Sequence, residues 1–483
     1  MNKYIYSNVI WKFFERILAQ GITFIVALIL ARLLTPNEFG LVALVMVFIN
    51  VINAVVTSGF STALIQNNNA DDLDFSSVFW FGFIISIIIY IFIYYFAKYI
   101  AVFYNNELIV PVFRVLSLRV ILSSINSVQH AYVARKLQFK KYFFSTLFGT
   151  LISAIIGVCL AIKGYGVWAI VFQYLSNTAI DTIVLLITVE WKPKLIFSFV
   201  RLKQLFSFGS KILIDTILFY VQYNLRNLII GKMYNTSELA YYTNAQRIPS
   251  VFINNVSQSV SSVLLPVMSN VNTDEKRVLM YLRKSSKLCA YIVFPVLLVI
   301  ILVSNEFVNV FLTSKWSPMI PYLQLYCVIC FTQVLMPPRN EALKAIGRSD
   351  IFLQENTFVR IFDVIIMFIF ISNGSLFLMF TSLVSYLLSI IVLMFNAQKY
   401  NNYSFLTQLV DIKNTVIACL FVVIFVLIIS CLNFSLLPMM ISKVLIAMTV
   451  YVVTSIVFEF EEFDILLKLI KQYTTKIIGN NRG

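Results

Sequence analysis

Charged residues are scarce in this sequence. Asp, Glu, Lys and Arg make up 12% of its 483 residues, well below the roughly 25% of an ordinary globular chain. Hydrophobic residues make up 60%, which is more than a water-soluble protein of this length could bury. The composition therefore excludes a cytosolic enzyme, a DNA-binding domain and a disordered scaffold.

Other features are missing as well. The apolar runs are continuous and do not alternate with polar residues, which excludes a transmembrane β-barrel. The sequence contains no P-loop of the form G-x-x-x-x-G-K-[ST], so it shows no nucleotide-driven energy source. Cys327 and Cys330 form a CxxC pair without a second ligand pair, and helix packing explains them better than zinc or redox chemistry. We expect no metal site and no cofactor.

Long apolar stretches fill most of the chain. A transmembrane helix needs about 20 mostly apolar residues, and the loops between such stretches are too short to hold a soluble domain. The fold class that we predict is an all-α polytopic membrane protein with about 14 transmembrane helices. The predicted spans are residues 9–33, 39–65, 76–102, 108–133, 141–162, 166–189, 206–231, 238–267, 284–304, 318–338, 350–371, 375–397, 414–432 and 436–457.

The basic residues indicate the orientation of these spans. Lys and Arg collect on the cytoplasmic side of a membrane protein, and this explains the net charge of +15 better than nucleic-acid binding does. We therefore predict that both termini are cytoplasmic. The loops on the outer side then carry only Arg32, Lys98, Lys163, Lys232 and Lys315.

A ten-residue pattern occurs twice. Residues 31–40 (ARLLTPNEFG) and 231–240 (GKMYNTSELA) each end one predicted helix, make a polar turn and begin the next helix near a Glu, where the helix dipole favours negative charge. Six helices separate the copies, so both halves have the same orientation. This predicts two six-helix lobes related by a pseudo-twofold axis along the membrane normal, plus a C-terminal helix pair. The predicted boundaries are 1–200 and 201–403 for the lobes, 404–458 for helices 13 and 14, and 459–483 for a cytoplasmic tail.

Polar residues inside apolar helices indicate surfaces that face protein or water, because a charge at the bilayer centre costs at least about 2.5 kcal/mol. Here they recur at helical spacing, so each set shares one helix face. A guanidinium group can donate two parallel hydrogen bonds to phosphate, and the stripes therefore predict a hydrated cationic cavity for an anion. The predicted substrate-binding residues are Arg247, Arg226, Arg16, Arg119, Asn50, Asn53, Gln222, Asn254 and Gln258.

Acidic residues in the same segments are candidates for coupling transport to an ion. A structural alternative stays open, because Asp181 and Asp215 could instead pair with Arg119 or Arg247 inside the bundle. His130 could relay a proton, although a hydrogen-bonded packing role is the stronger expectation. The ion-coupling candidates are Asp181, Asp215 and Glu15.

Three further charged clusters have structural explanations. Arg16 lies beside Glu15 near a membrane surface and could extend its charge into water. Arg360 and Asp363 are three residues apart on one helix and could neutralise each other. Residues 71–74 (DDLD) resemble a metal-binding DxD motif, but their place directly before a helix favours a helix cap.

Several motifs resemble polysaccharide-export flippases of the Wzx type, which belong to the multidrug/oligosaccharidyl-lipid/polysaccharide exporter superfamily. Residues 32–40 are similar to the R-x-L-x-P-x-x-[FY]-G turn of that family. The second copy of the turn departs from the family pattern mildly, because Ala240 stands where a glycine is usual. The further matches, in order, are residues 59–66, 166–169, 228–249 and 265–267.

The resemblance implies a cavity between two six-helix lobes, lined by helices 1, 2, 7 and 8, with Arg16, Arg226 and Arg247 as the matching cationic residues. It implies a substrate, an oligosaccharide repeat unit on undecaprenyl pyrophosphate, which moves from the cytoplasmic to the outer leaflet of a bacterial inner membrane by alternating access. Lipid-linked oligosaccharide and membrane lipid are then the expected partners, together with a polysaccharide polymerase and a chain-length regulator. No nucleic acid is expected.

Two other functions fit the sequence less well. A multidrug/cation antiporter of the same architecture would favour an acidic cavity, whereas Arg outnumbers acidic residues on the stripes. A polymerase or glycosyltransferase would need catalytic residues on a large outer loop, and residues 305–317 offer Glu306 alone. We therefore predict a transporter and no enzyme.

Overall fold

The computed structural model describes residues 3–66, 70–271, 273–432 and 434–468. Within these ranges the chain is helical and forms no strand. A π-helix at Val308–Leu312 and a 3₁₀ helix at Ser314–Met319 join α10 to α11. The α-helices are α1 Lys3–Leu33, α2 Pro36–Gln66, α3 Asp72–Tyr104, α4 Ile109–Arg135, α5 Phe139–Ile162, α6 Val167–Thr188, α7 Phe199–Met233, α8 Thr236–Ser269, α9 Glu275–Leu302, α10 Ser304–Phe307, α11 Ile320–Gln333, α12 Met336–Ala345, α13 Ser349–Ile369, α14 Ser375–Asn401, α15 Phe405–Ser430 and α16 Leu436–Val457.

The all-α membrane class is confirmed. Eleven of the described helical segments are long and apolar enough to cross a membrane, so the chain is a multi-pass membrane protein. The predicted number of about 14 spans is not confirmed. The helices α1, α7 and α13 are not among the eleven, and each of them carries several charged residues.

One predicted span has a different internal structure. Residues 318–338 were expected to form a single helix, but the helix is interrupted between α11 and α12. Pro337 and Pro338 occupy the first turn of α12, where their missing N–H groups leave no hydrogen bond unmade. The same two residues could not lie in the interior of a continuous helix without disrupting it.

The chain divides into two compact units, Met1–Thr243 and Asn244–Gly483. In the first unit, α5 packs against α1 and α6, α4 packs against α2, α3 and α6, and α7 runs along α2. In the second unit, α9 packs against α11 and α15, α14 packs against α11 and α13, and α15 packs against α16. The lobe boundaries expected at residues 200 and 403 remain a prediction.

Residues 71–74 cap α3, as predicted. The Asp71 carboxylate accepts hydrogen bonds from the backbone N–H groups of Leu73 at 3.0 Å and Asp74 at 3.1 Å, and Asp74 in turn accepts from the Asp71 N–H at 3.1 Å. This reciprocal capping box satisfies N–H groups that have no partner inside the helix. The Asp74 N–H bond is the main reason why the pKa of Asp71 lies below its usual 3.8. Arg201, near the start of α7, lies 3.8 Å from Asp71 and 3.7 Å from Asp74.

The two copies of the repeated turn lie against each other within the first unit. Both copies begin a helix with Glu in its first turn, α2 with Glu38 and α8 with Glu238. The hydroxyl of Thr236 hydrogen-bonds the side chain of Asn37. A Cβ atom on Gly40 would overlap the carbonyl oxygen of Thr236. Glycine is therefore required at position 40 because another backbone approaches it closely.

Candidate functional site

Arg119 lies in α4 of the first unit without an acidic partner. Its Nε donates to the hydroxyl of Thr178 in α6 at 2.7 Å, and its guanidinium carbon lies 5.6 Å from the ring centre of Tyr174. The sulfur of Met46 is 3.9 Å from Nη1. No carboxylate contacts Arg119 among the described residues. A hydroxyl, a thioether and an aromatic ring leave the positive charge of this side chain uncompensated.

Arg226 and Arg247 lie in different units. Arg226 of α7 is buried, with 9% of its surface exposed. Arg247 of α8 is half-buried and makes no hydrogen bond or ion pair within the described part of the chain. Two residues further along, Pro249 lies inside α8. Because proline has no N–H, the carbonyl of Ala245 lacks its usual helical donor, so α8 presents an open acceptor near this cation.

The other predicted substrate-binding residues lie on three helices. Asn50 and Asn53 of α2 are half-buried, and the buried Oδ1 of Asn53 has no hydrogen-bond partner among the described residues. Gln222 of α7 is half-buried, while Asn254 and Gln258 of α8 are exposed. The side chains of Arg16, Glu15 and Asp215 lie outside the part of the structure that is described.

Asp181 pairs with the single histidine and not with an arginine. Its Oδ2 is 3.0 Å from His130 Nε2 and accepts from the Asn126 amide at 3.1 Å. The expected alternative, a pair with Arg119 or Arg247, is therefore wrong for Asp181. The ring of His130 packs on Tyr142, with 4.6 Å between the ring centres. The other two polar atoms, His130 Nδ1 and Asp181 Oδ1, are buried and have no hydrogen-bond partner in the described ranges.

The pairing of Arg360 with Asp363 is also absent. Arg360 is exposed on α13 and makes no hydrogen bond or ion pair among the described residues. The residues Cys327 and Cys330 are buried as free thiols in α11. No group of three His, Cys, Asp or Glu side chains that could hold a metal ion occurs within the described residues.

Sequence reasoning missed the ion pairs that buried carboxylates of the second unit form. Lys443 of α16 lies 2.6 Å from Glu306, and both side chains are more than nine-tenths buried. Glu306 is thus an interior residue and not part of an exposed loop. Asp411 of α15 accepts two hydrogen bonds from Arg283 of α9, each at 2.7 Å, and a third from Tyr403 at 2.7 Å. These contacts belong to α15 and α16, which correspond to the predicted helices 13 and 14.

A fully buried arginine adds to this network. Arg339 of α12 is 2% exposed. Its Nη1 donates to the carbonyl of Leu335 at 2.6 Å and its Nε donates to Gln408 at 3.1 Å. The amide nitrogen of Gln408 donates to the carbonyls of Met394 and Tyr403. The available signal was Gln408 and Asp411, two polar residues in the turns that precede a long apolar run, which indicates contact with protein and not with lipid.

The arrangement separates two kinds of cation on the described helices. Arg283 and Lys443 are neutralised by carboxylates, so they join helices and have no charge left for a ligand. Arg119 and Arg247 contact no carboxylate within the described residues. A cation of the second kind can bind an anion by charge-assisted hydrogen bonds without first breaking an ion pair.

Known proteins share both the fold and the sequence pattern. The lipid II flippase MurJ, in an inward closed conformation, superimposes with a TM-score of 0.75 at 16% identity, covering 94% of this chain and 98% of that one. A multidrug resistance MATE family transporter of the MOP superfamily, in an inward-facing conformation, gives a TM-score of 0.62 at 15% identity, covering 79% and 94%.

The lipopolysaccharide biosynthesis protein WzxC of Escherichia coli (strain K12) is 24% identical over 360 residues, which cover 73% of this chain and 72% of the relative. The family described as "Polysaccharide biosynthesis protein" matches residues 29–321, which is more than half of the chain. These findings confirm the resemblance noted in the sequence. The chain belongs to the polysaccharide biosynthesis protein family.

Proposed function

We propose that this protein is a flippase. It moves undecaprenyl-pyrophosphate-linked oligosaccharide repeat units of an O-antigen, a capsule or an exopolysaccharide from the cytoplasmic to the outer leaflet of a bacterial inner membrane, with both termini in the cytoplasm. The observation that carries the proposal is the pair of intramembrane arginines, Arg119 and Arg247, that contact no carboxylate among the described residues. The names of two similar proteins, a lipopolysaccharide biosynthesis protein and a lipid II flippase, support it.

The chemistry of the substrate explains why such residues are needed. A pyrophosphate group carries concentrated negative charge, and taking it out of water without compensation is prohibitive. Arginine replaces the lost hydration with planar, bidentate hydrogen bonds. Amide side chains such as Asn50, Asn53, Gln222, Asn254 and Gln258 can donate to and accept from sugar hydroxyls. The polyprenyl tail stays in the lipid throughout, and the protein makes no covalent change in its cargo.

Ion coupling is proposed for Asp181. Its only polar partners among the described residues are His130 and Asn126, so its charge is not cancelled by a permanent cation. Carboxylate–histidine pairs inside membrane proteins commonly relay protons, and we propose this role for the pair of Asp181 and His130. Asp215 and Glu15 remain further candidates on sequence grounds. A polysaccharide polymerase and a chain-length regulator are the proposed protein partners.

The test compares Arg247→Ala with Arg360→Ala, a matched control on an exposed arginine that makes no polar contact in the described ranges. Full-length protein in liposomes is given undecaprenyl pyrophosphate carrying one N-acetylglucosamine as the probe, and its appearance in the opposite leaflet is measured. We expect Arg247→Ala to slow flipping about 10- to 100-fold, as the loss of a charged hydrogen bond implies, and Arg360→Ala to flip at the rate of the unsubstituted protein.

Equal rates in both variants would contradict the assigned role of Arg247. The same liposomes, loaded with the cationic dye ethidium, test the alternative of a multidrug/cation antiporter. Cation-driven ethidium export together with no flipping of the lipid probe would replace our proposal by that alternative. Incubation with labelled probe, followed by chromatography, should recover it chemically unchanged.

A further inference from the structure

A buried carboxyl group in the second unit lacks the partners that its neighbours have. Glu355 of α13 is 5% exposed. Its Oε1 accepts a hydrogen bond from the hydroxyl of Ser389 in α14 at 3.3 Å, and the side chain of Asn396 also interacts with it. Its Oε2 is buried and has no hydrogen-bond partner within the described residues. This group was not among the candidates from the sequence.

Three other buried carboxylates of the same unit have a cationic partner. Glu306 has Lys443 at 2.6 Å, Asp411 has Arg283 at 2.7 Å, and Glu341 has Lys344 at 3.0 Å. Each of these acids can therefore stay ionised in the interior, because a cation compensates the loss of hydration. The remaining one, Glu462, is also buried, and its Oε2 likewise has no hydrogen-bond partner among the described residues.

Among the described residues, no charged side chain on the helices around Glu355 forms an ion pair with it. Its helix packs against α12 and α14. On α12, Arg339 binds Leu335 and Gln408, and Lys344 binds Glu341. On its own helix, Asp350 is paired with Arg348, while Arg360 is exposed and makes no polar contact in the described ranges. The full set of ionisable side chains on these three helices, besides Glu355, is Arg339, Glu341, Lys344, Asp350, Arg360, Asp363, Tyr386, Lys399 and Tyr400.

We propose that Glu355 is a proton-binding site of the second unit. An isolated carboxylate in an apolar interior is so unfavourable that the group takes up a proton instead. The neutral carboxylic acid keeps the Ser389 hydrogen bond to Oε1 and leaves only a weakly solvated O–H at Oε2. The proton is released when water reaches Oε2, because the carboxylate that forms is then solvated.

Infrared spectroscopy of the full-length protein in liposomes tests this site without any need for transport. The protonated acid should show a carbonyl stretching band at pH 7 that shifts on exchange into D₂O, and Glu355→Gln should abolish it. The matched control is Glu341→Gln, which removes a buried acid whose partner is Lys344; the band should remain. A band that persists in Glu355→Gln would overturn the proposal.

A second variant tests the site with the carboxyl group intact. Ser389→Ala removes the hydrogen bond to Oε1 and should move the carbonyl band to higher frequency, because the carbonyl loses its donor. An unmoved band would contradict the assignment. Loss of the band at constant pH when NaCl replaces choline chloride would also overturn it, since the group would then be an ionised sodium ligand.

The use of this proton in transport rests on the proposed flippase activity. If it is used, flipping of the lipid probe should vary with pH in the unsubstituted protein and lose one titrating component in Glu355→Gln. Failure of the flippase proposal would abolish flipping at every pH but leave the infrared band in place. Failure of the proton site would remove the band but leave flipping measurable.

Discussion

The two units of this protein differ in the ion pairs that their helices form. In the first unit, Arg119 and Asp181 contact hydroxyl, amide and imidazole groups, and the ion pairs with lysine or arginine that are described there lie near helix ends. In the second unit, carboxylates and cations of distant helices bind each other directly, as Lys443 and Glu306 do. A charged residue in an apolar helix can therefore either join two helices or remain available to a ligand. The presence or absence of an ionic partner determines which of these roles it has.

Breaking a buried ion pair should give the largest effect. Lys443→Met leaves Glu306 as an uncompensated buried charge between α10 and α16, and removal of one partner from such a pair costs about 3–5 kcal/mol. Thermal unfolding in detergent should show a large fall in Tm. The double variant Lys443→Met/Glu306→Gln carries no charge there and should recover most of the loss. Equal instability of the single and double variants would mean that the pair does not join these helices by charge.

A larger side chain at position 40 tests whether the first unit depends on the close contact between its two repeated turns. Gly40→Ala places a methyl group against the Thr236 carbonyl, and overpacking of this kind costs about 1–3 kcal/mol. Gly82→Ala is the control, because no atom lies within 4 Å of a Cβ at that position and alanine favours a helix over glycine. We expect a lower Tm for the first variant alone. Indistinguishable melting curves would show that the turns separate freely.

The smallest effect should come from the cap of α3. Asp71→Ala removes two hydrogen bonds to backbone N–H groups, a loss of about 1 kcal/mol. Because the pKa of Asp71 is lowered on folding, its contribution is fully present above about pH 4 and is lost as pH falls through the folded-state pKa. The difference in Tm between the unsubstituted protein and Asp71→Ala should therefore shrink on acidification.

Asp72→Ala is the matched control for the cap. Asp72 pairs with Lys194 on the surface, with both side chains about half exposed, and exposed pairs contribute about 0–1 kcal/mol. Its effect should disappear at high salt, whereas that of Asp71→Ala should not, since a hydrogen bond to the backbone is screened less than a surface ion pair. The opposite salt dependence would contradict the capping role.

The repeated turn shows which features of the fold could be predicted from the sequence. The copies at residues 31–40 and 231–240 were identified from their similar residue pattern, and α2 and α8 begin within them. The contact between Gly40 and Thr236 was not foreseen, because no pattern along the chain states which backbone segments approach each other. Arg119 of the first unit and Arg247 of the second were identified because charged residues are rare inside apolar segments, while Glu355 and Lys443 were overlooked.

What the sequence by itself determined is the class of the protein: apolar runs longer than about 20 residues can satisfy their backbone hydrogen bonds in lipid only as helices. What the tertiary structure alone decided is the partner of each intramembrane charge. Lys443 and Glu306 are 137 residues apart in the chain, and Asp411 and Arg283 are 128 apart. Helical periodicity places a residue on a face, but the packing of whole helices determines which atom that face meets.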